Sequence, residues 1–200
     1  MTTHDRPRFG PPKPGIANLL LKLIGWRVQG CLPNVPKLVL IVAPHTSNWD
    51  FLIGLVCAYA LGLLSTWPYG VMAKSSLFKG WFGKLMRWIG GVPIDRSSPQ
   101  NLVGQMVDIF KQRDRLMLVI TPEGTRQRTG YWKSGFYHIA VGAGVPIVLA
   151  YLDYKSKTGG IGPTIHPSGS LETDAPIIQE FYAHITANHP LKTGDIRFKT

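Results

Sequence analysis

Apolar positions along the chain fall into two alternating rhythms. LVLIVA (38–43), LMLVIT (116–121) and VPIVLAYLDY (145–154) are short apolar runs with the length and β-branched content of strands buried on both faces. YGVMA (69–73) and VPID (92–95) are shorter candidates. Between these runs, apolar residues recur at helical spacing. Leu102, Val103, Met106, Val107 and Phe110 make one face of a helix that Ser98 and Pro99 would open as N-cap and first-turn residues. Further helices are expected before about Leu64, over 77–89, from about Ser134 to Gly142, and from near Asp174. The last of these would carry Ile177, Ile178, Phe181 and Ile185 inward. The alternation predicts an α/β fold: a single domain with a mostly parallel sheet flanked by helices. Strand order is not readable from the pattern.

The segments outside that alternation are informative too. Residues 1–14 are polar and Pro-rich and are expected to be a flexible terminus, with 15–200 as one domain. Ile16, Leu19, Leu20, Leu23 and Ile24 then share one face of an amphipathic helix. Lys22 interrupts this apolar segment and no small-x-small site follows it, which argues against a removable signal. FLIGLVCAYALGLL (51–64) is too short to span a bilayer and ends at Ser65, Thr66 and Pro68, so a buried core helix is expected. In the 77–89 helix, Phe78, Trp81, Phe82, Leu85, Trp88 and Ile89 oppose Lys79, Lys84 and Arg87. A basic helix with Trp and Phe on its apolar side suits an anionic membrane interface, and Phe78, Trp81, Phe82 and Trp88 are its expected lipid contacts. A helix packed on the core has the same period.

Composition narrows the partners. The chain has 200 residues, 44% hydrophobic and 16% charged, which is a folded composition with a sizeable core. Its formal charge of +11 favours an anionic partner, either a membrane surface, nucleic acid or a phosphorylated substrate. The cations are scattered rather than clustered as in a nucleic-acid tail. Cys31 and Cys57 belong to no cluster with metal-ligand spacing. Cys57 reads as a buried free thiol, and a reducing cytosol is the simpler compartment.

Three stretches carry candidate chemistry. In APHTSNWDF (43–51), His45 follows a strand and Asp50 comes five residues later. On one continuous helix that spacing would turn them about 140° apart. They can pair only if His45 sits in the strand-to-helix turn and Asp50 in the first helical turn, with Ser47 or Asn48 as N-cap. The carboxylate could then hold one ring nitrogen and leave the other as a base. In VITPEGTRQ (119–127), Gly124 permits a tight turn or a close approach, and Arg126 offers a planar fork suited to phosphate. In GGVPIDR (90–96), a short strand delivers Arg96 to a strand end, where ligands gather in α/β folds. Taken singly, the first two stretches read more readily as ordinary polar turns and the third as a surface arginine.

In this order the stretches resemble the glycerolipid acyltransferase family, which includes lysophosphatidate acyltransferase. The matching motifs are H-x-x-x-x-D at His45 to Asp50, glycine-to-arginine at Gly91 to Arg96, P-E-G-T-R at Pro122 to Arg126, and V-P-I at Val145 to Ile147. Pro44, Thr121 and Leu149 stand where that family often has Asn, Phe and Pro. The resemblance implies a glycerol-3-phosphate acyltransferase-like fold and transfer of a fatty acyl group to the hydroxyl of a lysophospholipid such as 1-acylglycerol-3-phosphate. His45 would be the general base and Asp50 its orienting carboxylate. Arg96 and Arg126 would hold the acceptor phosphate. Glu123 would order that loop or bind the glycerol, Thr125 would be a further substrate-binding residue, and Gly124 would let the loop close. The co-substrate would be acyl-CoA or acyl carrier protein, with no metal and no further cofactor. A peripheral position on the cytoplasmic face of a membrane, against anionic lipid and without nucleic acid, goes with that reading.

Other classes fit less well. The chain has no G-x-S-x-G elbow and no G-x-x-x-x-G-K-[ST] loop. Gly142 and Gly144 begin a G-x-G, but Ile147 fails the last position of a dinucleotide fingerprint. The alternatives are a basic, non-enzymatic membrane- or nucleic-acid-binding module, and an acyltransferase for a lysolipid without phosphate. The module accounts for the charge and leaves the His-Asp and Pro-Glu-Gly-Thr-Arg stretches unexplained.

Overall fold

A computed structural model describes residues 14–74, 79–81, 83–84, 91–94 and 99–198. In chain order its elements are α1 (Pro14–Leu23), β1 (Arg27–Gln29), β2 (Lys37–Ala43), α2 (Asn48–Ala60), α3 (Leu63–Thr66), β3 (Tyr69–Lys74) and β4 (Gly91–Ile94). They continue with α4 (Pro99–Gln112), β5 (Leu116–Ile120), α5 (Gly135–Ala143), β6 (Ile147–Asp153), β7 (Thr158–Ile165) and α6 (Leu171–Ala183), and end in a 3-10 turn at Pro190–Lys192.

The strands form one seven-stranded sheet in the order β1-β7-β6-β2-β5-β3-β4. Every pairing is parallel except β6 with β7, which form an antiparallel hairpin. The mostly parallel α/β domain expected from the alternation is the observed one. The hairpin strand β7 and the short β1 were not anticipated. GGIGP within β7 carries little β-propensity, and its burial comes from pairing with β6 and from packing rather than from pattern.

The central strand β2 shows why both faces must be apolar. Val39, Ile41 and Ala43 point to a core shared with Met106 and Phe110 of α4, Phe136 and Ile139 of α5, and Ile178 and Tyr182 of α6. Leu38 and Leu40 point the other way, onto Leu63, Leu64, Trp67 and Met117. Successive strand residues face opposite sides, so a strand covered on both sides reads as a continuous apolar run.

Several helix expectations need correction. Residues 51–64 do not form one buried helix. Gly62, at φ +73°, breaks the run between α2 and α3. Within α2 only Asp50 and Cys57 are buried, while Phe51 (66% exposed), Leu52 and Leu55 face outward. α2 packs on the rim of the sheet, where only part of its circumference finds partners. In α6, Ile178 is fully buried, but Ile177 is 46% exposed because it lies about 100° round the helix from Ile178. That helix begins at Leu171, capped by the Ser170 side chain.

The α1 helix forms as its spacing suggests, but the buried side is the narrow one. Ala17 and Leu21 face Trp26, Cys57 and Leu152, whereas Ile16, Leu19, Leu20, Leu23 (74% exposed) and Ile24 face away. Both cysteines are free; Cys31 is exposed and burial pushes the Cys57 thiol up to about 12. Among the described residues no helix is long and apolar enough to cross a membrane.

Candidate active site

The carboxyl ends of three adjacent parallel strands, β6, β2 and β5, meet at one point, where open α/β sheets place their ligands. β2 ends in Ala43 and a cis Ala43–Pro44 peptide, and His45 follows in the turn. Ser47 is the N-cap of α2, in extended backbone, and its hydroxyl accepts from the Trp49 N–H. Asp50 is the third residue of the helix and completes a capping box. This is the turn-plus-first-turn arrangement that pairing across five residues requires.

Asp50 is held from four directions. Its Oδ2 accepts from the N–H groups of Thr46 at 2.7 Å and Ser47 at 2.8 Å, and lies 3.4 Å from His45 Nδ1. Its Oδ1 accepts from the Tyr154 hydroxyl at 2.6 Å. Burial alone would raise the Asp50 carboxyl. The hydrogen bonds from His45, Tyr154, Ser47 and Thr46 outweigh that and hold it below its ordinary value. Tyr154 responds oppositely: burial and the bond to Asp50 push its hydroxyl well above the usual phenol range. The carboxylate is therefore fixed in charge and position, and His45, with a side chain 24% exposed, remains reachable.

Glu123, in the loop that follows β5, reaches across to the same turn. Its Oε1 accepts from the His45 N–H at 2.8 Å. Its Oε2 is buried and, among the described residues, receives no hydrogen bond. Burial pushes this carboxyl up, against the lowering effect of the His45 N–H. A buried acceptor without a donor is costly, and a ligand hydroxyl would relieve it. The backbone turns at Gly124 with φ +64°, a left-handed conformation that favours glycine, and the end of the Lys133 side chain lies over the turn. Thr125 and Arg126 are exposed, and the Thr125 hydroxyl accepts from the Gln127 N–H at 3.2 Å.

A cavity of about 420 Å³ opens beside His45 and Glu123, with Gln127, Tyr182 and Lys192 also in its wall. The Tyr182 hydroxyl bridges the carbonyls of Ile41 at 3.1 Å and Ala150 at 2.9 Å, which fixes α6 against β2 and β6. The structure thus brings His45, Asp50 and Glu123 together, with Gly124 shaping the loop. Arg126 adjoins the cavity through Gln127 but is not part of its wall. Arg96 lies outside the described residues, as do Phe78, Phe82 and Trp88; Trp81 is 77% exposed.

The family model described as Acyltransferase matches residues 25–152, which contain all four motifs. The chain belongs to the acyltransferase family. Among curated relatives, a probable 1-acyl-sn-glycerol-3-phosphate acyltransferase of Mycoplasma pneumoniae is 36% identical over 143 residues, covering 66% of this chain and 52% of the relative. The 1-acyl-sn-glycerol-3-phosphate acyltransferase of Escherichia coli is 32% identical over 138 residues, covering 64% and 54%. The chain therefore spans about half the length of the curated relatives it matches. The crystal structure of the 1-acyl-sn-glycerophosphate (LPA) acyltransferase PlsC from Thermotoga maritima shares the fold. Its TM-score is 0.55 at 18% identity, over 84% of this chain and 74% of that one.

Two contributors to the site carried weaker sequence signals. Tyr154 is the last residue of the apolar run 145–154, and a polar hydroxyl at a strand end was the available clue. Lys192 lies in an irregular segment with no periodicity at all.

Proposed function

We propose that this acyltransferase-family chain transfers a fatty acyl group from an acyl thioester, acyl-CoA or acyl carrier protein, to a lysophospholipid hydroxyl such as that of 1-acylglycerol-3-phosphate. The observation that carries this is the His45–Asp50 pair beside a cavity that also contains the unsatisfied Glu123 Oε2. Asp50 holds Nδ1 and leaves Nε2 as the base. His45 takes the acceptor's hydroxyl proton as its oxygen attacks the thioester carbonyl. The C–S bond then breaks, and the imidazolium returns the proton to the leaving thiolate. This is the logic of a hydrolase triad with the substrate hydroxyl in place of serine, so no acyl-enzyme is needed. The base and its carboxylate supply the proton transfers without a metal. Glu123 Oε2 would accept from a glycerol hydroxyl, and Arg126 and Arg96 would pair with the acceptor phosphate.

A peripheral station on the cytoplasmic face of an anionic membrane fits this chemistry, because both substrates carry acyl chains. The support is an outward apolar surface on the packed pair α1 and α2, comprising Leu19, Leu20, Leu23, Trp49, Phe51 and Leu52. Trp49 is one residue before Asp50. Lys22 and Arg27 are exposed near α1, as an anionic headgroup layer favours. Purified protein incubated with radiolabelled acyl thioesters and a lysolipid panel, with products resolved by mass, tests the activity. His45→Ala should abolish transfer while the circular dichroism spectrum stays unchanged. Wild-type turnover in that variant would refute the mechanism.

A further inference from the structure

After α6 the chain runs on as an irregular strap, residues 184–198, beyond the 25–152 range matched by the family model. It is fastened to the site at several points. The His189 N–H donates to Thr46 Oγ1 at 3.1 Å, Gln179 Nε2 donates to the Ile196 carbonyl at 2.7 Å, and the Trp132 N–H donates to the Arg197 carbonyl at 2.7 Å. At Gly194 a Cβ would come within 2.0 Å of the Thr129 carbonyl oxygen, so strap and loop meet backbone against backbone.

The strap is cationic on both sides of that crossing. On the inner side Lys192, half-buried, lines the same cavity as His45. On the outer side Arg128 and Arg197 line a second recess of about 340 Å³. Cavity and recess share Thr129, Gly194 and Asp195, so the two openings lie on either side of that crossing. Asp195, the acid at the junction, is paired with Arg197 at 2.7 Å. Lys192 on the His45 side and Arg128 on the other thus flank the Thr129–Gly194 crossing, two cations not engaged by that acid.

We propose that the strap and the 128–131 loop it crosses together form the subsite for the phosphorylated arm of the thioester donor. The acyl carbonyl lies against His45, and Lys192 and Arg128 take the phosphate groups at the far end of the pantetheine arm. This rests on the thioester-dependent acyltransferase reading above. The shape favours the donor over the acceptor. A glycerol phosphate has its charge only a few bonds from the reacting hydroxyl and has no use for a recess beyond the Thr129–Gly194 crossing. A pantetheine arm is long and places its phosphates far from the sulfur. Acyl-CoA and the phosphopantetheine of acyl carrier protein present the same chemistry.

Steady-state kinetics of the whole chain with three donors distinguishes the outcomes. The donors are acyl-CoA, acyl carrier protein, and the phosphate-free S-acyl-N-acetylcysteamine. In Lys192→Met and Arg128→Gln, kcat/KM for the phosphorylated donors should fall about tenfold relative to the truncated donor, the size expected for a hydrogen bond to a charged group. The KM for the acceptor should stay within about twofold of wild type. A loss with acyl-CoA alone, or with acyl carrier protein alone, identifies which donor uses the subsite. Equal loss with the truncated donor, a raised acceptor KM, or variants indistinguishable from wild type would overturn the subsite. A folded wild type that transfers from no thioester would instead overturn the activity reading beneath it.

Discussion

Replacing Asp50 by Asn isolates the charge of the orienting carboxylate from its shape. The amide oxygen can keep the bonds from the Thr46 and Ser47 N–H groups, and the amide nitrogen can face the Tyr154 oxygen. The negative charge 3.4 Å from His45 Nδ1 is lost. In the proposed transfer, where His45 takes the acceptor proton, that charge would stabilise the imidazolium by up to about 5 kcal/mol at an effective dielectric of about 20. The ceiling on the rate loss is then roughly three to four orders of magnitude, similar to the roughly 10⁴-fold fall known for the corresponding change in a serine-protease triad. Measured at saturating donor and acceptor, kcat of Asp50→Asn should fall by about 10³-fold. The helix cap should weaken by about 2 kcal/mol, lowering Tm by about 4–8 °C. The folded Asp50 carboxyl sits below its unfolded value, so its stabilisation is present above the ordinary carboxylate pKa and disappears as pH falls through the lowered one. The Tm gap between wild type and variant should therefore close in acid. A kcat within tenfold of wild type, with the Tm loss as stated, would make Asp50 a helix cap and refute its role toward His45.

Three further outcomes are expected. Tyr154→Phe removes the donor to Asp50 Oδ1 and should cut kcat about tenfold while moving the acid loss of stability to higher pH, read from Tm against pH. Glu123→Gln should raise the acceptor KM yet leave Tm at pH 7 equal or higher. Its folded carboxyl is raised, so the relative stability present below the unfolded pKa is already lost at neutral pH, and the amide removes a buried charge. Leu19, Leu20 and Leu23 changed together to Ser should release the protein from anionic vesicles in a flotation assay with Tm within about 2 °C of wild type, because all three side chains are exposed.

What could be read from the residues follows the reach of each interaction. The strands β2, β5 and β6 were legible because burial on both faces forces an unbroken apolar run, which is a local signature. The His45–Asp50 turn was legible because a helix cap and a strand end both leave local marks, at Ser47 and Ala43. Which side of a helix is buried is not local. Ile16, Leu19, Leu20, Leu23 and Ile24 marked one face of an amphipathic helix, yet periodicity does not say what that face meets, and α1 finds buried partners only along Ala17 and Leu21. A wide apolar stripe on a rim helix has two possible solvents, core or lipid, and its 3.6-residue spacing is the same for both. The same ambiguity attaches to the membrane-facing expectation for residues 77–89, where Trp81 of the four expected contacts lies among the described side chains. The Lys192 strap is the extreme case. Its place beside His45 depends on tethers from Thr46, Thr129 and Gln179, residues that precede Lys192 by up to 146 positions, and no periodicity within the strap could encode it. A site assembled from the ends of three parallel strands is legible strand by strand. The segment that closes over it becomes legible only through the partners that hold it down.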